Sequence, residues 1–268
     1  MSKLSTFAIG FAAAAAAVCS CGGEETPASE PGNEITFKAA DGATVYADLF
    51  EAEGGKEAPV ILLFHQAGSN AGEYATIAPR LVKMGFNCLA VDLRSGGKGW
   101  GRQNRTVEAL GRSEEYMDAY QDMQAALSYA KDEGYTGGVL IWGSSYSASL
   151  AIRLGGDRAD DVAAVLAFSP GEYFGSGDPV RKWASSVAAP IFVTSGGGGE
   201  VDVAREILNA ASPGQRTHHI PKKGVHGSST LRSDKNSDGA EENWAAVERF
   251  LSGFKPGGQD SGPESANL

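Results

Sequence analysis

Three side-chain types in one chain order carry the first chemical signal. Residues 143–147 read Gly143-Ser144-Ser145-Tyr146-Ser147 and follow the apolar run "GGVLIW". A tight strand-to-helix turn of the form Gly-x-Ser-x-small lifts its middle hydroxyl out of the backbone and needs small neighbours, because the chain crowds itself there. Ser145 is therefore the candidate nucleophile. The plain alternative is a Ser-rich helix cap, and five residues alone do not separate the two. A hydroxyl needs a base and an acid that orients the base. The chain has four histidines. His226, in "GVHGSS" after the last strand-like run, is the candidate base. His218 and His219 are neighbours on a predicted strand, point to opposite faces, and read as structural or surface residues. His65 reads as a structural loop residue. The acid should follow "APIFVTS", where the chain continues "GGGGEVD". Glu200 comes first after the glycines and is favoured, with Asp202 as the alternative.

An acyl-transfer site also needs two N–H donors for the oxyanion that develops on the substrate. Tyr146, next after the nucleophile, supplies one. Ala67 or Gln66, in "FHQAGSNAGEY", supplies the other. The loop "RSGGKGWGRQNRT" follows "AVDL" and should overhang the same place. Trp100, Arg94 and Arg105 in it are candidate substrate-binding residues for an anionic or aromatic group. The alternative is a Gly-rich loop held by its own arginines. "DKNSDG", Asp234 to Gly239, begins like a calcium loop, but its twelfth position is Ala245 rather than Glu, so it reads as an Asp/Asn-rich turn before a helix. No His/Cys/carboxylate spacing argues for zinc, and no cofactor is expected. Cys88, in "FNCLAVDL", reads as a small core residue.

The elements that position these groups alternate along the chain. "EITFKAADG" and "ATVYADLFEA" alternate apolar and polar residues around an Asp41-Gly42 turn and predict a hairpin. "PVILLFH", "FNCLAVDLR", "GGVLIWGS", "VAAVLAF" and "APIFVTS" are short apolar runs that predict buried strands, with "QRTHHIP" a weaker one. Helical spacing runs through "EYATIAPRLVKMG", through the stretch from Ser113 to Gly134, where Ser113 is the expected cap, and through "EENWAAVERFLSGF". Such alternation predicts a mostly parallel sheet with helices on both faces, and ligands bind such sheets at the carboxyl ends of their strands.

The set "HQAGSN", "VDLRSGG", "GSSYSAS", "FSPGEYF" and "GVHGSS" resembles the α/β-hydrolase superfamily, close to its dienelactone-hydrolase-like members, over about residues 35–254. The resemblance implies an eight-stranded, mostly parallel sheet and a Ser–His–acid triad in which Ser145 and His226 match the motifs. This chain departs from the pattern twice. Gly199 stands where the family usually has its acid, with Glu200 one position later, and Ser147 replaces the second glycine of the turn. Residues 171–188 are too few for the helical cap that many relatives carry, so an open site without a large cap domain is expected. The function that follows is a serine hydrolase cleaving a carboxylic ester through an acyl-enzyme. The alternatives are a peptidase or amidase on the same triad, or a lipid-anchored, non-catalytic binding protein on a hydrolase scaffold.

The ends of the chain read differently from its middle. Lys3 precedes the apolar run "LSTFAIGFAAAAAAV", which has the length of a signal-peptide core, and Val18-Cys19-Ser20-Cys21 resembles a bacterial lipobox with Cys21 as the lipidated residue. The expected organisation is a signal peptide over 1–20, a flexible tether over 21–32, an α/β-hydrolase domain over 33–255 and a disordered tail over 256–268. That places the mature protein in the cell envelope as an exported bacterial lipoprotein, attached to the membrane by its N-terminal lipid. The net charge of −10 argues against a nucleic-acid partner. The expected partner is a small-molecule ester or acyl substrate, and the sequence sets no oligomeric state.

Overall fold

Continuous apolar runs bounded by turns leave the chain one economical solution, a sheet buried on both faces. The computed structural model describes residues 32–255. The expected signal peptide, most of the tether, Cys21 and the tail lie outside the described residues. The first hairpin pairs β1 (Asn33–Lys38) with β2 (Thr44–Phe50) around the Asp41-Gly42 turn. Six strands follow: β3 (Val60–Phe64), β4 (Asn87–Asp92), β5 (Val139–Ser144), β6 (Ala164–Phe168), β7 (Ile191–Thr194) and β8 (Arg216–His219). Their order across the sheet is β1-β2-β4-β3-β5-β6-β7-β8. β2 runs antiparallel to both of its neighbours, and all pairs from β4 to β8 are parallel. The helices are α1 (Ala78–Lys83), α2 (Arg105–Leu110), α3 (Tyr120–Asp132), α4 (Tyr146–Asp157), α5 (Pro179–Ala184), α6 (Gly199–Ala210) and α7 (Ala240–Leu251).

Strand alternation divides the interior into two cores. Val60, Leu62 and Phe64 share one core with Met123 and Leu127 of α3, Leu150 of α4 and Ile207 of α6. Ile61 and Leu63, with Trp142, face Leu81 of α1 and Trp244 and Leu251 of α7. Each large side chain buried this way contributes about 1.5–3 kcal/mol relative to exposure, so both faces hold the central strands β3 and β5 in place. Cys88 lies in the second core and is fully buried. Between β6 and β7 the chain makes only the six-residue α5, so among the described residues no large cap covers the strand ends. No helix among the described residues is long and apolar enough to cross a membrane.

Two helices begin later than their periodicity implies. α1 starts at Ala78 with Pro79 in its first turn, where a missing N–H costs nothing; residues 71–74 form a 3-10 turn capped by the Asn70 side chain. α3 starts at Tyr120 rather than at Ser113. The cause is Arg94. Its backbone carbonyl accepts from Glu114 N–H and its guanidinium pairs with the Glu114 carboxylate at 3.1 Å, which pulls residues 113–119 out of helical register.

The substrate-binding expectation for Arg94 and Arg105 is overturned here. Arg94 is 1% exposed. It pairs with Asp41 at 2.7 Å and with the fully buried Asp122 at 2.7 Å, besides Glu114. Arg105 is bound to Asp92 at 2.7 Å, Asp48 at 2.9 Å and Glu34 at 3.0 Å. Trp100 is half-buried, donates from Nε1 to Ser69 Oγ at 2.7 Å, and stacks under Arg232 with 4.3 Å from guanidinium carbon to ring centroid. The loop is thus clamped to the sheet by its own cations. Breaking a buried pair leaves an uncompensated charge. Asp122→Ala is therefore expected to lower the unfolding free energy by about 3 kcal/mol, read by urea denaturation, and a second change, Arg94→Met, should return part of that loss. An Asp122→Ala protein as stable as its parent would refute the clamp.

Candidate active site

Ser145 sits at the end of β5 with φ 61° and ψ −123°, a backbone state that ordinary residues avoid and that is held by its surroundings. Its N–H donates to Phe168 O at 2.8 Å across to β6. Gly143 is required here, because a Cβ on it would lie 2.3 Å from Ser147 O and 2.5 Å from Ala148 N. Ser147, in place of the usual glycine, is fully buried; its hydroxyl accepts from Ser144 N–H at 2.9 Å and reaches Phe64 O at 2.8 Å as donor. The substitution ties the turn to β3 instead of crowding it.

The three groups named from chain order meet in space. Ser145 Oγ lies 2.8 Å from His226 Nε2, and His226 Nδ1 lies 2.9 Å from Glu200 Oε1. The other Glu200 oxygen accepts from Gly196 N–H at 2.9 Å. Burial pushes the Glu200 pKa up, but the Gly196 N–H, the Ser169 hydroxyl and His226 outweigh it and hold the carboxyl below the ordinary glutamate range. Asp202 is turned away: it pairs with Arg205 at 2.5 Å on the exposed face of α6. Glu200 stands in the first turn of α6, from where its side chain reaches His226. The His226 loop is pinned by Gly227, whose N–H donates to Ser169 Oγ at 3.0 Å. At Gly227, φ is 68° and a Cβ would lie 2.4 Å from Ser144 Oγ, so only glycine fits. Ser145 is 8% exposed, whereas the His226 and Glu200 side chains are 40% and 38% exposed. The site is open to solvent.

Of the oxyanion donors, Tyr146 N–H and Ala67 N–H have no acceptor among the described residues. Tyr146 N–H opens α4, where orphan N–H groups and the helix dipole favour negative charge. The expectation for Gln66 is corrected: its N–H donates to Glu73 Oε2 at 2.8 Å and is spent. His65 is fully buried, accepts from Leu93 N–H at Nε2 (2.9 Å) and therefore carries its proton on Nδ1, which donates to Gln66 O at 2.7 Å. It fixes this loop and stands apart from Ser145. His219 bonds Asn243 at 2.9 Å on the far edge of the sheet. Asp234 pairs with Arg232 and Asp238 with Lys223, while the Asn236 amide donates to Thr230 O and Lys223 O. The calcium-like motif is thus folded as a turn before α7.

Three residues near the site were not read from the sequence as functional. Tyr173 lies beside the Ser145 side chain and donates from its hydroxyl to Ser169 O at 3.2 Å. Tyr116 stacks on the Tyr146 ring with 4.5 Å between centroids. Both rings, and Met117, are large apolar groups left exposed. Glu73 lies fully buried with Ser144 Oγ donating to its Oε1 at 2.7 Å. Burial raises its pKa to about 7 against the pull of the Gln66 N–H, the Ser144 hydroxyl, Arg232 and His226. Tyr173 lies in the "FSPGEYF" motif, which was a signal without an assigned role. Nothing local marks Glu73.

Residues 55–220 match the family model described as Serine aminopeptidase, S33, and the chain belongs to that family. It is a serine hydrolase of ester or amide type on an α/β-hydrolase, dienelactone-hydrolase-like fold. Among solved structures it is similar to an esterase of Pyrococcus furiosus, with TM-score 0.62 and 19% identity over 83% of this chain and 92% of that one. A dienelactone hydrolase of Anabaena variabilis superposes with TM-score 0.63 at 15% identity, over 84% of this chain and 99% of its own. A thermostable carboxyl esterase of Bacillus coagulans gives 0.64 at 13% identity, over 83% and 98%. No protein of curated function matches by sequence.

The acid assignment can be tested directly. Glu200→Gln should lower turnover of a nitrophenyl ester by on the order of a hundredfold or more, with melting temperature little changed. Asp202→Asn, which loses one exposed ion pair, should leave turnover within about twofold and stability within ~0.5 kcal/mol. The reverse pattern would move the acid to Asp202.

Proposed function

We propose that this protein is a serine esterase that cleaves a neutral carboxylic ester through an acyl-enzyme on Ser145. The observation that carries the reading is the continuous chain from Ser145 Oγ to His226 Nε2 at 2.8 Å and from His226 Nδ1 to Glu200 at 2.9 Å. In this reading His226 takes the Ser145 proton as Oγ attacks the ester carbonyl. Glu200 holds the Nδ1–H tautomer and stabilises the imidazolium that forms. Ala67 and Tyr146 N–H groups receive the oxyanion. His226 then returns the proton to the leaving alcohol, and a water activated by the same imidazole releases the acid.

The surroundings favour an ester over a peptide with a free amino end. Such a peptide needs an unspent carboxylate near the nucleophile. Glu200 is committed to His226 and Gly196, and Glu172 caps α5 by accepting from Val180 N–H at 2.9 Å and Arg181 N–H at 3.0 Å. Arg94, Arg102 and Arg105 of the neighbouring loop are committed as well, and the cation of that loop left outside an ion pair among the described residues is the exposed Lys98. Beside Ser145 stands Tyr173, with Tyr116 stacked on the ring of the next residue, Tyr146, and both exposed rings suit an uncharged substrate.

A fluorophosphonate probe should label the wild type, and Ser145→Ala should lose both the label and ester turnover while melting normally. A neutral nitrophenyl ester should turn over faster than the corresponding hemisuccinate. A wild type that neither takes the probe nor cleaves an ester would point to the non-catalytic binding scaffold instead, and label moving to Ser144 or Ser147 would reassign the nucleophile.

We also propose that the enzyme works at the cell envelope as a lipoprotein. The support is sequence alone: Lys3, the apolar run after it, and Val18-Cys19-Ser20-Cys21. Cys21→Ser should abolish palmitate incorporation and leave either soluble protein or unprocessed precursor. Loss of label in Cys19→Ser, with Cys21→Ser still labelled, would contradict the assignment.

A further inference from the structure

We infer that Glu73 is a positioning residue for hydrolysis, a side chain that ties the oxyanion loop to the nucleophile turn and, through Ser144, to the histidine loop. The inference rests on the esterase reading above. The three catalytic segments come from distant parts of the chain and meet at the strand ends. Glu73 touches the first two directly. Its Oε2 accepts Gln66 N–H at 2.8 Å, one residue before the Ala67 donor, and its Oε1 accepts the Ser144 hydroxyl at 2.7 Å, one residue before the nucleophile. The third is reached through Ser144, whose Oγ accepts Ser228 N–H at 2.9 Å, two residues after His226.

A carboxylate is the group this node requires. Ser228 N–H already points at Ser144 Oγ, so Ser144 directs its own proton to Glu73. Gln66 N–H is a donor by nature. Two donors therefore converge on one side chain, and only a carboxylate presents two separate acceptor oxygens to them. Glutamine would satisfy Gln66 with its carbonyl and set its NH2 against Ser144, whose hydroxyl proton would be left without an acceptor in a buried place.

The fold holds a costly group here without a cation. Among the described residues no ion pair reaches the Glu73 carboxylate. Arg232, the nearest guanidinium to its backbone, donates to Glu73 O at 2.9 Å and pairs with Asp234 at 3.0 Å. Burying a carboxylate on two hydrogen bonds is expensive, and an apolar side chain in its place would leave the Gln66 N–H and the Ser144 hydroxyl proton unpaired. The position of the bonds explains the expense: they set the Ala67 N–H relative to Ser145 Oγ, a distance that acyl transfer depends on.

The decisive measurement is steady-state hydrolysis of one nitrophenyl ester by wild type, Glu73→Gln, Ser144→Ala and the double variant, each with its melting temperature. Glu73→Gln should lower kcat about tenfold to a hundredfold with KM within about twofold, since substrate binding is untouched and oxyanion geometry is not. Ser144→Ala removes the stray hydroxyl, so the double variant should recover part of the Glu73→Gln loss. A Glu73→Gln enzyme with wild-type kcat overturns the inference, as does a double variant that is simply worse than either parent. If Glu73→Gln does not fold, Ser144→Ala alone decides: kcat should fall at unchanged KM, and an unchanged kcat overturns the inference. Wild type with no Ser145-dependent turnover is a different result, the failure of the esterase reading itself.

Discussion

One backbone conformation governs the architecture around the site. Ser145 holds φ at 61° at the end of a central strand, where an L-residue costs about 1–3 kcal/mol. The conformation persists because its neighbours over-determine it. The Ser145 N–H is bonded across to Phe168 O, the Ser144 N–H is bonded to Ser147 Oγ, and α4 begins at the next residue. Gly143 is the concession that lets the chain double back without collision. Once the hydroxyl is lifted above the strand ends, the acid and base need only descend from neighbouring loops. β7 delivers Glu200 and the segment after β8 delivers His226, both on the carboxyl side of a sheet in which the six strands from β4 to β8 run parallel.

Charge is distributed to serve the same geometry. The loop from Arg94 to Arg105 looks from its composition like a cationic surface. Its guanidiniums are instead drawn inward to Asp41, Asp48, Asp92 and Asp122. Asp92 in turn accepts Ala71 N–H at 2.7 Å, which fixes the turn that carries Glu73. Asn70 and Asn104 bind backbone carbonyls of the same two loops. The arginines therefore hold the wall of the site, and the Tyr116 and Tyr173 rings beside it are left exposed.

What was legible in the sequence follows from how local each constraint is. The strands were legible because a run such as Val60–Phe64 is buried at every position, and unbroken apolar runs of that length suit interior strands. Ser145 and His226 were legible because a crowded turn restricts its neighbours to small residues. Glu200 could be favoured over Asp202 from order alone, without a view of the ion pair with Arg205 that turns Asp202 outward. The start of α3 was misread because the helical spacing of Tyr116 and Tyr120 is real, yet Glu114 is claimed by Arg94. The destinations of Arg94 and Arg105 were hidden for the same reason: their partners lie far off in the chain, and periodicity carries no information about them. Glu73 was hidden because nothing in "AGEY" distinguishes a buried glutamate from an exposed one.

The serine-rich turn shows how one hydroxyl among three is left free to react. Ser144 Oγ sends its proton to Glu73 and receives Ser228 N–H. Ser147 Oγ reaches Phe64 O and receives Ser144 N–H. Both are fully buried, with donor and acceptor already matched inside the fold. Ser145 alone keeps contact with solvent, and its hydroxyl meets His226. The selection is made by the partners rather than by the serines, whose chemistry is identical. The two departures from the family pattern fit that account. Ser147 replaces a glycine by a hydroxyl that fastens the turn to β3, and Glu200 replaces the displaced acid by a longer side chain that still reaches His226.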